Sequence, residues 1–156
     1  MRLPPWLLVF PPGLALLAYF SLAGLVFYRA ARSSLRATFL LFLLSMGLWS
    51  FGSMMMRLDS PHIMSWNMVL VISGTLLVPV AFFAFVQDFL DRQRTRLLWA
   101  GIVFAFILAA AMVAGYGVSG ARLTPDGLIE FDFGTIFPIQ SAHWLFFVGY
   151  SSVALI

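Results

Sequence analysis

Cysteine and lysine are both missing from the 156 residues, and only 10% of the residues are charged. Without cysteine there is no disulfide, no thiolate metal site and no cysteine nucleophile. The shortage of charge excludes more. A soluble domain carries about 25% charged residues and 45–50% apolar ones, whereas this chain is 62% hydrophobic with a mean hydropathy of +1.00. It lacks the polar residues to cover a water-facing surface, so it reads as an integral membrane protein. Nine arginines against six acidic residues give a net charge of +3. These arginines fall in small groups between long apolar runs, and binding along a phosphate backbone needs clustered cations. A nucleic-acid partner is therefore not expected; the expected partner is the lipid bilayer.

What is present is a set of five uncharged runs: Leu3 to Tyr28, Ala37 to Met56, Ser60 to Gln87, Leu97 to Ala121 and Phe133 to Ile156. A helix rises about 1.5 Å per residue, so roughly 20 apolar residues cross a hydrocarbon core of about 30 Å. The runs predict an all-α, polytopic transmembrane helix bundle with five spans, at about 10–28, 37–56, 66–87, 97–117 and 139–156, each good to a few residues. Barrel strands would alternate lipid-facing and lumen-facing residues, and these runs do not. Pro4, Pro5, Pro11 and Pro12 suit the start of a helix, where a missing N–H costs little. The first run is longer than a signal-peptide core, and arginines follow it rather than lead, so it is read as a retained span.

Arginine placement sets the expected orientation. Arg29, Arg32 and Arg36 follow span 1, and Arg92, Arg94 and Arg96 follow span 3; these six should face the cytoplasm. The other side holds Arg2, Arg57 and Arg122 with Asp59, Asp126, Glu130 and Asp132. The N-terminus is thus expected outside. Trp6, Trp66, Tyr116 and Trp144 then fall near the outer interface, and Tyr28 and Trp99 near the inner one, as an aromatic belt requires. Between spans 4 and 5, Pro125-Asp126-Gly127 precedes the alternating run Leu128 to Phe133, which predicts a small extracytoplasmic hairpin.

Catalytic signatures are absent: there is no H-E-x-x-H, G-x-S-x-G or G-x-x-x-x-G-K-[ST], and no Asp pair within a span. The reading is that this chain is not an enzyme and needs no cofactor or metal. Transport pathways are usually marked by ionisable residues inside spans, whereas the charges here sit at predicted membrane edges. Trp49 and Ser53 in the outer half of span 2, with Trp66, Asn67 and His143 near the outer surface, form a candidate ligand pocket, of which Trp49, Asn67 and His143 are the chosen residues. The alternative is that Asn67 and His143 satisfy one another or a backbone carbonyl. At the inner edge, Asp88 either pairs with Arg92 four residues on or clamps onto Arg29, Arg32 or Arg36. Asp88, Asp91 and these four arginines are the candidate coupling layer.

Two packing features are also legible. Ala110 with Ala114, and Ala111 with Gly115, are spaced for close approach to a neighbouring helix. Gly74 and Pro79 predict a kink in span 3, because Pro79 removes a backbone donor and crowds the preceding turn.

The order of features resembles a known family. Arg32-Ser-Ser-Leu-Arg36-Ala-Thr-Phe39, a leucine run, then Trp49 and Gly52 resemble the start of span 2 in the N-terminal seven-transmembrane sensory region of bacterial sensor histidine kinases. Pro79 to Arg92, an aromatic-rich run ending in Asp88-Phe-Leu-Asp91-Arg92, is similar to that family's span 3 exit. Pro125-Asp126-Gly127 followed by Phe133-Gly134-Thr-Ile-Phe137-Pro138 is similar to its outer loop leading into span 5. The resemblance implies a sensory input module in the bacterial inner membrane, a cytoplasmic output domain in cis (a kinase core or a diguanylate cyclase), and homodimers. It departs from the family in ending at Ala154-Leu-Ile156 inside an apolar run, after five spans rather than seven, so the chain is expected to be a fragment without phosphoryl or cyclase chemistry of its own. Two rivals stand beside it: a fragment of a small transporter or channel, and a scaffold whose arginine loops recruit anionic lipid.

Overall fold

The computed structural model describes residues 5–92, 95–124 and 128–155, without the side chains of residues 5, 6 and 60. Arg2, Arg94, Pro4, the Trp6 side chain, the Pro125-Asp126-Gly127 turn and Ile156 lie outside the described residues. The fold is mostly helical, with five long helices and one hairpin: α1 Pro5–Arg29, α2 Ser34–Leu58, α3 Ile63–Phe89, α4 Arg96–Val113, β1 Val118–Leu123, β2 Ile129–Phe133 and α5 Phe137–Ala154. Four segments are long and apolar enough to cross a bilayer: Leu7–Arg29, Ser34–Leu58, Ile63–Phe89 and Arg96–Val113. The fifth helix has the length, 18 residues, but Gln140, His143 and several serines make it more polar.

Local chemistry explains most of the helix ends. Ser33 is extended at φ −151°, ψ 165°, and its Oγ accepts from the Arg36 N–H at 3.2 Å, an N-cap for α2. At the end of α3, Asp91 takes φ 51°, its N–H donates to the Asp88 carbonyl, and the Arg92 N–H donates to that of Gln87 at 2.9 Å. Gly115 at φ 90° ends α4 the same way, with Tyr116 N–H donating to Ala111 and Gly115 N–H to Met112. Both are Schellman endings. The second stops α4 short of the expected residue 117. Helix α1 departs from expectation at its other end. It begins at Pro5, so Pro11 and Pro12 lie inside it rather than at its start.

Helix α3 is the centre of the bundle, with α2 on one side and α4 and α5 on the other. Its Val71, Leu76, Val80, Phe83 and Ala84 form the core with Leu98, Ala105, Leu108 and Met112 of α4 and Phe147 of α5. Such a core gains little from excluding water in lipid, and close packing holds it instead. Close approach does not occur at the expected small residues. Ala110 is exposed, while Ala114 and Gly115 lie beyond the helical residues of α4. The close crossing is instead at Gly101, where an added Cβ would run into the Phe147 ring, and at Gly52, where it would meet the Leu70 backbone N at 2.9 Å. Helix α1 packs against α2 and leaves Leu14, Leu17 and Leu25 exposed, an outward apolar face of the kind lipid covers.

Inside α3, residues Ile72–Leu77 form a π-helical stretch. Pro79 has no N–H to donate to the Thr75 carbonyl four residues back. The ladder is resumed by a wider bond, from the Val78 N–H to the Ser73 carbonyl, and Ser73 and Thr75 hydroxyls donate to Val69 and Val71 carbonyls, each at 2.6 Å. The expected kink is therefore resolved as a π turn just before the proline.

The hairpin pairs β1 and β2 antiparallel, with Arg122 opposite Glu130, Ala121 opposite Phe131 and a bulge between Val118 and Gly120. Arg122 Nε donates to Glu130 Oε2 at 2.8 Å. Gly134 fits where a Cβ would collide with the Tyr116 and Gly117 carbonyls, and its N–H donates to Gly117 at 2.6 Å.

Candidate functional site

The π turn of α3 faces α2 and α5, and a cleft of about 360 Å³ opens between them. Trp49 of α2, Gly74 and Thr75 of the π turn, and Gln140, Ser141 and Trp144 of α5 line it. Each helix contributes for a local reason. Gly74 lets the Trp49 indole lie flat against the backbone, since a Cβ there would sit 2.7 Å from the ring. Gln140 Nε2 donates to Thr75 Oγ1 at 2.6 Å, which bridges α5 to the π turn. Among the described residues no charged side chain lines the cleft, so what it suits is a neutral, partly aromatic or apolar molecule with a few hydrogen-bonding groups.

Two buried polar side chains stand beside the cleft: among the described residues Gln140 Oε1 has no hydrogen-bond partner, and the His143 ring is turned toward the backbone of Thr75. Gln140 is 3% exposed and His143 is 4% exposed. His143 lies one turn beyond Gln140, its ring 5.7 Å from that of Phe104 and 5.0 Å from that of Phe147. Buried polar atoms are normally satisfied, and leaving them unmade costs about 1–3 kcal/mol each. An unmet amide oxygen next to an open cleft is a place where a ligand's hydrogen-bond donor fits.

Of the three residues chosen from sequence, Trp49 lines this cleft, His143 does not line it but is set against the backbone of Thr75, which does, and Asn67 is elsewhere, buried in the first turns of α3. Asn67 and His143 are not joined to one another among the described residues; the His143 ring is instead set against the backbone of Thr75, the second of the two alternatives. Ser53 is likewise not a cleft residue; it accepts from Arg57 Nη1 through its carbonyl at 2.7 Å and its Oγ at 3.0 Å. Gln140 and Thr75 were missed. The signal was there: Gln140 and His143 are three apart in an apolar run, which places both on one helix face.

At the opposite end, the coupling residues come together only in part. The Arg36 guanidinium donates to the Phe27 carbonyl at 2.7 Å and the Ala30 carbonyl at 3.1 Å, and lies 5.0 Å from the centre of the Phe27 ring. It thereby ties α2 to the carboxyl end of α1, where cations are favoured. Asp88 is half-buried and accepts from Thr38 Oγ1 at 3.0 Å, which ties α3 to α2. Gln87 Nε2 donates to Thr95 Oγ1 at 2.7 Å across the α3–α4 connection. Arg29, Arg32, Asp91 and Arg92 are exposed around this layer. The link from Asp88 to α2 thus runs through a threonine hydroxyl that sequence reasoning did not single out.

A third cluster was not foreseen at all. Between α2 and α3, Asp59 receives the Trp66 indole N–H at 2.9 Å and stands 3.0 Å from His62 Nδ1. The His62 hydrogen bond, and after it that of Trp66, holds the Asp59 carboxyl below its ordinary value. The spacing of 59, 62 and 66 is helical, and that was its signal. Among the described residues no group of three His, Asp or Glu side chains is arranged to hold a metal ion. Compared with known protein families, with curated proteins and with solved structures, the chain matches none.

Proposed function

We propose that the chain is the membrane-embedded sensory input part of a bacterial signal-transduction protein of the histidine-kinase type, lying in the inner membrane with its N-terminus outside and its arginine layer in the cytoplasm. The observation that carries this reading is the pairing of an uncharged cleft with the unpartnered Gln140 amide oxygen and the buried His143 ring beside it, set against an irregular turn in the central helix. A ligand that meets that oxygen binds one packing of α3 against α5 better than another, and that differential affinity is what a sensor requires. Helix α3 runs from the cleft to the Asp88 layer, so one rigid element joins input to the cytoplasmic side. The resemblance in Arg32 to Gly52 and Pro79 to Arg92 supplies the family, and with it an output domain in cis and a homodimer.

The test is made in the intact signalling protein. The reading frame beyond Ile156 is expected to encode further apolar spans and a soluble domain with a phosphoacceptor histidine or a cyclase core. Output from that domain should then lose its response to stimulus on Gln140→Leu or His143→Phe, with membrane insertion unchanged. A frame without such a domain, together with ion or solute flux in vesicles, would replace this reading with the transporter alternative.

A further inference from the structure

We propose that the arginine end of the bundle carries a built site for one anionic phospholipid, its phosphate held at Arg32 and its acyl chain lying in a crevice along α3. The inference rests on insertion in a bilayer and not on the sensory reading. A cavity of about 360 Å³ lies along α3 between α2 and α4, another of about 80 Å³ lies between α3 and α4, and the two share Leu77, Val80 and Ile102. They therefore form one crevice. On α3 it extends from Ile72 to Ala84, which is about 18 Å at the helical rise, close to one leaflet of a hydrocarbon core about 30 Å thick. Its lining is aliphatic and aromatic apart from Thr38. That is the shape and chemistry of a single acyl chain.

The occupant's charge follows from what stands at the crevice's end. Ala37 lines the crevice and also a separate depression of about 310 Å³ formed by Arg32, Ser33, Arg36 and Leu40. The depression lies over the first turn of α2, where free backbone N–H groups add to the positive field. Arg36 is engaged with the α1 carbonyls, so Arg32, exposed at the rim, is the side chain placed to take the phosphate. An apolar slot one leaflet long that meets a cationic depression at one residue fits an anionic diacyl lipid. A zwitterionic lipid fits it less well, because it brings a cation to the same place.

The experiment reconstitutes the chain in phosphatidylcholine vesicles and measures, by electron spin resonance, the association of acyl-chain spin-labelled phosphatidylglycerol relative to spin-labelled phosphatidylcholine. Wild type should favour phosphatidylglycerol. Arg32→Gln should lower that preference about fivefold, the contribution of one basic residue near an anionic surface. Arg29→Gln, equally exposed but outside the depression, should leave most of it. Ala37→Trp blocks the junction without changing charge and should abolish the preference. Leu41→Trp, at another exposed crevice position, should do the same, with helicity checked by circular dichroism in the same vesicles. Equal effects of Arg29→Gln and Arg32→Gln, with no effect of either tryptophan, would reduce the preference to diffuse surface charge and overturn the site. Absence of any preference, with a dimer fraction that falls on Ala37→Trp, would overturn it in favour of a second copy of this chain in the crevice.

Discussion

Asp91 occupies a left-handed position, φ 51°, where helices usually end in glycine. Aspartate tolerates that conformation better than most residues but still pays for its Cβ. Asp91→Gly should therefore raise unfolding stability by about 0.5–1 kcal/mol, measured by denaturant unfolding in detergent micelles. A loss of stability would show that the carboxylate does more than end the helix. The carboxylate of Asp59 makes a second residue-scale prediction. Its folded value is depressed, first by the His62 hydrogen bond and then by that of Trp66. Its stabilisation is thus present at neutral pH and is lost as pH falls through the folded value. Trp66→Phe removes one donor, so the Asp59 titration, followed by carboxyl-carbon NMR, should move up toward the ordinary carboxylate value of about 3.9. A titration that stays where it was would mean that the indole bond is not maintained in solution.

At the scale of elements, Gly101 and Phe147 set how closely α4 and α5 approach. Gly101→Ala pushes a Cβ into the ring and should cost about 1–3 kcal/mol, as overpacking does. The Phe147→Leu exchange should recover part of that loss in a double-mutant cycle, whereas additive losses would place the strain elsewhere. Here the sequence spoke only in part. Apolar runs announced the helices because twenty such residues have few other fates, while the ends at Ser33 and Gly115 are set by local chemistry that the lengths of the runs do not report. The close crossing was misplaced at Ala110 and Ala114 because small residues say that a neighbour can approach, while which one is approached depends on how each helix is rotated. The π turn was legible as a disturbance at Gly74 and Pro79, but its form depends on hydroxyls returning to the backbone. Asn67 was grouped with His143 on their shared depth near the outer surface, and depth does not say which faces of α3 and α5 meet; that pairing, Thr75 with Gln140, appears only in the packed bundle.

For the whole molecule, the lack of cysteine makes orientation directly measurable. Single cysteines at Ala31 and Ser119 stand at opposite ends of the bundle, and both positions are exposed. In intact cells, a membrane-impermeant maleimide should label Ser119→Cys and spare Ala31→Cys, with both labelled after lysis. The reverse pattern would invert the proposed topology. The same view shows what the wide turn in α3 makes available to the molecule. A π turn is one residue held out of phase, and each residue of an α-helix turns by about 100°. If Ile72–Leu77 tightened to α geometry, everything beyond Val78 would rotate by about that angle about the helix axis and Asp88 would swing off the Thr38 hydroxyl, at the cost of crowding the Pro79 ring against the Thr75 carbonyl. The central helix holds one spare step of rotation, wound in at the cleft and paid out at the arginine layer.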